Sequence, residues 1–167
     1  MYDGWSSDVP IGIIPATGEM NTGSVAGGGY IGGIVGYHGN SSISNCYATG
    51  EIRGNTGVGG LVGWNSGSCV LNNCAALNPS IPNGGYIGRV VGSGSGSNNI
   101  AWSGMTLIGS TVSSSDGASG HGADITTEEI KADGTLGGRF TTANGWTIVN
   151  GKLPGFGAAE ELPEHLK

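Results

Sequence analysis

Apolar residues along this chain fall in short runs, each closed by glycine, asparagine or serine, and the runs recur. The segment "IGGIVGY" (residues 31–37) returns as "VGGLVGW" (58–64) after 27 positions and as "IGRVVGS" (87–93) after a further 29. About a dozen residues beyond each copy stands a second apolar segment: "ISNCYA", "VLNNCAA" and "NNIAW". A third short segment follows around Ile52, Ile81 and Leu107. Upstream, "ATGEMNTGSVAGGGYIGG" (16–33) echoes "ATGEIRGNTGVGG" (48–60), so the array opens with the back half of an earlier repeat. Short apolar runs separated by turn residues are strand chemistry interrupted by corners. A strand so short cannot bury its face alone, but stacked in register on its copy in the next repeat it can. The pattern therefore predicts an all-β fold: a short parallel β-solenoid (β-helix-like or β-roll-like) of about three coils, each of three strands and three corners. The usual crossover rule makes it right-handed.

Within "GGLVG", Leu61 and Val62 are expected on opposite strand faces, with the glycines giving room for a close surface or a bend. Asn45, Asn73 and Asn99 are expected at left-handed corners, their amides bonding up the stack. Cys46 and Cys74 take one place in adjacent repeats, with Ile100 as their counterpart in the third. Stacked strands lie about 4.8 Å apart, so a ladder of buried thiols and a disulfide are both open for that pair.

These residues carry a resemblance. "IGGIVGY" and "VGGLVGW" at this period resemble the GLUG motif found in tandem in bacterial surface proteins, among them adhesin-like proteins and non-catalytic parts of some immunoglobulin-A-specific metallopeptidases. The likeness covers about 16–110, and the third copy departs from it at Arg89 and Ser93 as a degenerate terminal coil would. It implies a secreted or cell-surface bacterial protein, an extracellular location, and a role in adhesion or as a spacer.

Composition narrows the picture. Glycine supplies 36 of 167 residues and charged residues only 11%, with a net charge of −6. The six lysines and arginines are never adjacent, which argues against nucleic acid as a partner. No apolar run approaches the roughly 18–20 residues that span a bilayer, so no membrane insertion is expected within this chain. The N-terminus lacks the basic and apolar regions of an export signal, which is expected to lie outside the chain.

Little here promises catalysis. The three cysteines lack metal-ligand spacing, and no cofactor or metal site is expected. His38, His121 and His165 fall in turn, loop and tail contexts without a recognisable nucleophile elbow. The glycine-rich strings lack the helix and acid that would make a phosphate cradle. No enzyme is expected. The candidate ligand-binding residues are Tyr37 and Trp64, which follow the motif glycine in successive coils, together with Asn65. An aromatic pair among Asn and Ser suits a sugar, apolar faces for the ring and amides for its hydroxyls; covering the corner would serve as well. The partners expected are surface glycans or proteins of host or bacterium. The alternative function is a glycan-binding module or the remnant of a β-helix carbohydrate-active enzyme. Thr17, Thr22, Thr49 and Thr56 recur too briefly for an ice-binding row.

The expected organisation is an N-terminal strand and partial repeat (1–29), the solenoid (30–110), a Ser/Gly-rich loop (111–124), a cap (125–157) and an acidic tail (158–167) that frays or docks weakly. The first segment places a strand between Pro10 and Pro15. In the cap, Thr126 and Glu129 form a capping box opening a short helix that ends near Gly134. Asn150-Gly151 marks a type I′ hairpin.

Overall fold

The computed structural model describes residues 16–17, 20–117 and 120–167; the strand expected between Pro10 and Pro15 lies outside them. The chain divides into two compact units, Met1–Asp124 and Ile125–Lys167.

The first unit is a parallel β-solenoid. A partial coil supplies β1 (Ala16–Thr17), β2 (Met20–Asn21) and β3 (Val25–Ala26). The next coil runs β4 (Ile31–Gly32), β5 (Val35–Gly39), β6 (Ser42–Ser44), β7 (Tyr47–Ala48) and β8 (Ile52–Arg53). Above it stand β9 (Gly57–Gly59), β10 (Val62–Ser66), β11 (Val70–Asn72), β12 (Ala75–Ala76) and β13 (Ser80–Ile81). The last coil has β14 (Tyr86–Gly88), β15 (Val91–Ser93), β16 (Ile100–Trp102) and β17 (Thr106–Leu107). Each strand pairs in parallel with its copy: β4-β9-β14, β5-β10-β15, β1-β6-β11, β2-β7-β12-β16, β3-β8 and β13-β17. Like residues therefore stack inside the coil, Ile31 on Val58, Ile43 on Leu71 and Val62 on Val91, and all six are buried.

The two middle coils carry five short strands each and the last coil four, where three were expected. The extra bends sit inside apolar runs. At Gly60-Leu61 the chain turns between β9 and β10, so Leu61 and Val62 both point inward and both are fully buried, against the expected alternation. The bend is fastened to the next coil, Gly60 N donating to Arg89 O at 3.0 Å and Leu61 N to Val90 O at 3.0 Å. The other bend uses asparagine in the left-handed region, φ 52° at Asn45 and 53° at Asn73.

In the third coil that corner is Asn98 (φ 50°), one residue before the expected Asn99. The register Ala75↔Ile100 places Asn99 beside Cys74, so Ile100 is the counterpart of Ala75 and Tyr47 rather than of the cysteines. Asn99 is buried and spends its amide on the coil below: Oδ1 accepts from Cys74 N at 3.0 Å and Nδ2 donates to Leu71 O at 3.0 Å. Cys46 and Cys74 are free, buried thiols. The hydrogen bond with Cys46 and then burial push the Cys74 thiol well above its ordinary range, so Cys74 is not a ready thiolate.

The serine-rich segment is more ordered than a loop. Its first residues form β18 (Ser110–Thr111), antiparallel to β17 across a turn at Ile108 (φ 47°) and Gly109 (φ 78°). Positive φ at both central residues is the hairpin turn usually filled by Asn-Gly; here Ile108 N is tied to Ile81 O at 2.9 Å. Its far end extends the ladder, since Gly120 O accepts from both Val90 N and Val91 N at 3.0 Å.

In the second unit α1 (Thr127–Asp133) begins with both halves of the expected capping box and ends at Gly134 with φ 70°. Ile130, Leu136, Phe140, Trp146, Leu153 and Leu166 are among its buried side chains. The expected type I′ hairpin is replaced. Only Gly151 of the Asn150-Gly151 pair has positive φ (77°), Lys152 N closes a turn on Val149 O, and a single antiparallel bridge joins Thr147 to Gly155. Nor is the tail frayed: Leu153 bridges Glu160, and Leu166 is fully buried.

Candidate binding surface

Two columns of residues run up one edge of the solenoid. Tyr37, Trp64 and Ser93 are register partners in β5, β10 and β15. Beside them, the pairing of β4, β9 and β14 puts Tyr30, Gly57 and Tyr86 at a second shared place. Glycine is what lets the columns mesh. A Cβ on Gly57 would meet the Tyr30 ring at 2.8 Å, and that same tyrosine packs against Trp64. Its ring lies 5.1 Å from that of Tyr30, tilted at 52°, and 6.1 Å from that of Tyr86 at 90°. Tyr30 also packs on Tyr37, 5.9 Å away at 50°. Aromatic rings prefer such tilted and edge-on contacts, in which a positive rim meets a negative face. The result is one four-ring cluster spanning three coils, three rings half-buried and Tyr86 60% exposed.

Behind the rings the coils are stapled by side chains. Tyr37 and Ser66 share a hydroxyl–hydroxyl hydrogen bond of 2.9 Å. Asn65 has protein partners at both ends of its amide: Nδ2 donates to Ser95 O at 2.6 Å, and Oδ1 faces His38 Nδ1 at 2.7 Å. With the amide oxygen as acceptor, His38 Nδ1 carries the proton and Nε2 keeps the lone pair. His38 belongs to β5 rather than to a turn, is 3% exposed, and its Nε2 meets no donor. Burial holds its pKa below the ordinary value, against the raising effects of Asn65 and the Ser41 backbone.

That shift has a sign. An unfolded chain protonates His38 near its ordinary pKa of about 6.5, whereas the folded chain resists until lower pH. Between those values the unfolded state binds more protons, so folding stability falls as pH falls through the window and is untouched above it. Urea denaturation from pH 8 to pH 5 should show this loss, and His38→Gln, which has no titrating group, should reduce its slope. The remainder comes from His121, which burial and then the Arg89 charge also hold below the ordinary value. Equal slopes in the two proteins would refute the assignment.

Of the three expected ligand residues, the structure brings Tyr37 and Trp64 into one cluster and gives Asn65 to the fold. It adds Tyr30 and Tyr86. Their signal was legible, since both immediately precede the motif isoleucine in "YIGG" and "YIGR". Elsewhere Glu51 pairs with Arg53 at 3.0 Å and accepts from Ser80 Oγ. Arg89 is buried against Asp124 at 2.6 Å. Thr49 is buried while Thr22 and Thr56 are exposed, so these three do not line up as a row. Among the described residues no three His, Cys, Asp or Glu side chains gather as metal ligands. No helix among them is long and apolar enough to cross a membrane.

Residues 27–53 match the family model described as the GLUG motif. That match runs through β4–β8, one whole coil, and the following coil stacks on it strand by strand. No curated protein and no solved structure matches the chain.

Proposed function

Because this chain carries the GLUG motif as a stacked coil, we propose that it is a non-catalytic module of a secreted or cell-surface bacterial protein and serves adhesion, holding its contact surface on a rigid array. The observation that carries this reading is the aromatic edge. Four rings from three coils share one face, and one of them is largely exposed. Large aromatic side chains on a preorganised backbone are the residues from which contact hot spots are built. Asn65, His38 and Ser66 fix that backbone from behind. A plain spacer would need no such exposed ring, and its outward faces would be small and neutral throughout.

Beads coated with the purified chain and passed over mucin, matrix-protein and bacterial-envelope surfaces test it. Retention on at least one surface is expected, falling about tenfold with Trp64→Ala, as loss of an aromatic anchor should produce. Far-ultraviolet circular dichroism checks that the variant folds, and Tyr86→Ala, a change at an exposed side chain, serves if it does not. Retention no better than that of bare beads would overturn the adhesive reading.

A further inference from the structure

The aromatic edge is not filled evenly. The lower coils hold three rings set against one another, Tyr30 with Tyr37 and Tyr30 with Trp64, with Gly57 as the gap into which they mesh. In the last coil Tyr86 stands beside Ser93, so the place one step up from Trp64 holds a hydroxymethyl group instead of a ring. Trp64 and Tyr86 meet at a right angle. Tyr86 is the most exposed of the four. On the side of Ser93 the corner between these two rings is thus bordered by a hydroxymethyl group in place of a third ring.

Resting on the adhesive reading above, we propose that the Trp64–Tyr86 corner, beside Ser93, is the stacking site for one pyranose ring of a neutral glycan. Three observations define that ligand. First, it carries no charge. The six strands that build the edge, β4, β5, β9, β10, β14 and β15, contain no Lys, Arg, Asp or Glu, and His38, their one histidine, is buried and neutral. A charged sugar would lose hydration there without a counter-charge to replace it. Second, it is small and presents an apolar face. A pyranose offers a patch of C–H bonds to the negative face of one ring while its hydroxyls reach outward, and Ser93, next in register to Trp64, offers a hydroxyl beside the corner to meet them. Third, the surface is not flat. Interplanar angles of 50°, 52° and 90° give no coplanar platform of the sort an ordered polysaccharide surface requires. A proline-rich peptide fits less well. It docks between separated aromatic ridges about one polyproline turn (roughly 9 Å) apart, and these rings pack against each other instead.

The test titrates the whole chain with cellotetraose, chitotetraose and mannotetraose, reading the Trp64 indole N–H resonance and the binding heat. Tetragalacturonate and a decaproline peptide are the comparison ligands. At least one neutral tetraose is expected to shift the Trp64 signal. Tyr86→Ala should weaken that binding about tenfold. Ser93→Trp, which fills the corner without removing a ring, should abolish it, and Phe156→Ala in the other unit should leave it unchanged. No Trp64 shift with any neutral tetraose at about 10 mM overturns the proposal. So does binding of tetragalacturonate or decaproline as tight as that of the best tetraose, or binding indifferent to both corner variants. If the coated beads still adhere in a Trp64-dependent way while no sugar binds, the neutral-glycan site falls and the adhesive module stands; if the beads do not adhere, the adhesive reading falls.

Discussion

Gly60→Ala should cost the solenoid about 3 kcal/mol or more, at or beyond the upper end of what an overpacked core side chain costs. The alanine Cβ would stand 2.2 Å from Arg89 O, 2.3 Å from Asn78 Oδ1 and 3.0 Å from the Ala76 methyl. The first obstacle is backbone of the coil above, so no rotamer change relieves it. Lifting that coil would stretch the three bonds that fasten the bend, from Gly60 N, Leu61 N and Val62 N to Arg89 O and Val90 O. Gly33 sits one coil lower in the same relation, its Cβ position 2.4 Å from Gly60 O. The third coil makes the point in reverse. There the position holds Arg89, because the chain that continues the ladder over it is the single segment through Gly120 rather than a repeat of the coil, and its side chain reaches the carbonyls of His121 and Gly122. Gly28→Ala is the matched control, since nothing lies within 4 Å of the added methyl. Urea denaturation should separate the two variants widely. A Gly60→Ala midpoint matching that of Gly28→Ala would mean the coils are less tightly stacked than their hydrogen bonds indicate.

The stack itself was legible because it rests on recurrence. Each copy of the motif has to build the same bend, and a bend against a neighbouring coil admits no Cβ. What happens within one coil was less legible. Leu61 follows directly on Gly60 and precedes Val62, so the apolar run reads as a continuous strand although the chain turns inside it. The third coil was misread by one residue at Asn98-Asn99. Either asparagine tolerates the left-handed corner, and the choice is made by packing, since only a side chain at 99 reaches both Leu71 O and Cys74 N. At the aromatic edge the in-register pair was readable, and so were Tyr30 and Tyr86 before the motif isoleucine, but with Gly57 between them nothing in the pattern says that the Trp64 ring meshes into their column. His38 looked like a turn residue because it stands before Gly39-Asn40, yet β5 continues through it and buries it. The hairpin at Ile108 runs against local preference, its backbone carried by Ile81 O rather than by the residue type.

Asp124→Asn is expected to destabilise the solenoid by about 3 kcal/mol, the lower end of the cost of breaking a buried ion pair, because the carboxylate itself is partly exposed. The Arg89 side chain has no exposure at all. Its nitrogens donate to His121 O at 3.1 Å and Gly122 O at 3.0 Å, with Trp102 O at 3.5 Å, but these carbonyls are neutral. Asp124 is the carboxylate paired with that buried guanidinium. Asparagine would keep Oδ1 for the hydrogen bond from Ser114 N and turn an amide nitrogen toward Ser113 Oγ, whose hydroxyl can accept in place of donating, so the charge is the main thing the substitution removes. A double-mutant cycle with Arg89→Met should return an interaction of about 2 kcal/mol; additivity within about 0.5 kcal/mol would show that the pair carries no net coupling. Acidity gives the second reading. Burial raises the Asp124 pKa, but hydrogen bonds from Ser113, Arg89 and Ser114 and the charge of Arg89 outweigh it and hold the group below the ordinary carboxylate value. A depressed carboxylate contributes stability above its unfolded pKa and loses it as pH falls through the folded one. The wild-type chain should therefore lose stability in that acid range, below the histidine window, while Asp124→Asn, already without the charge, should lose less there.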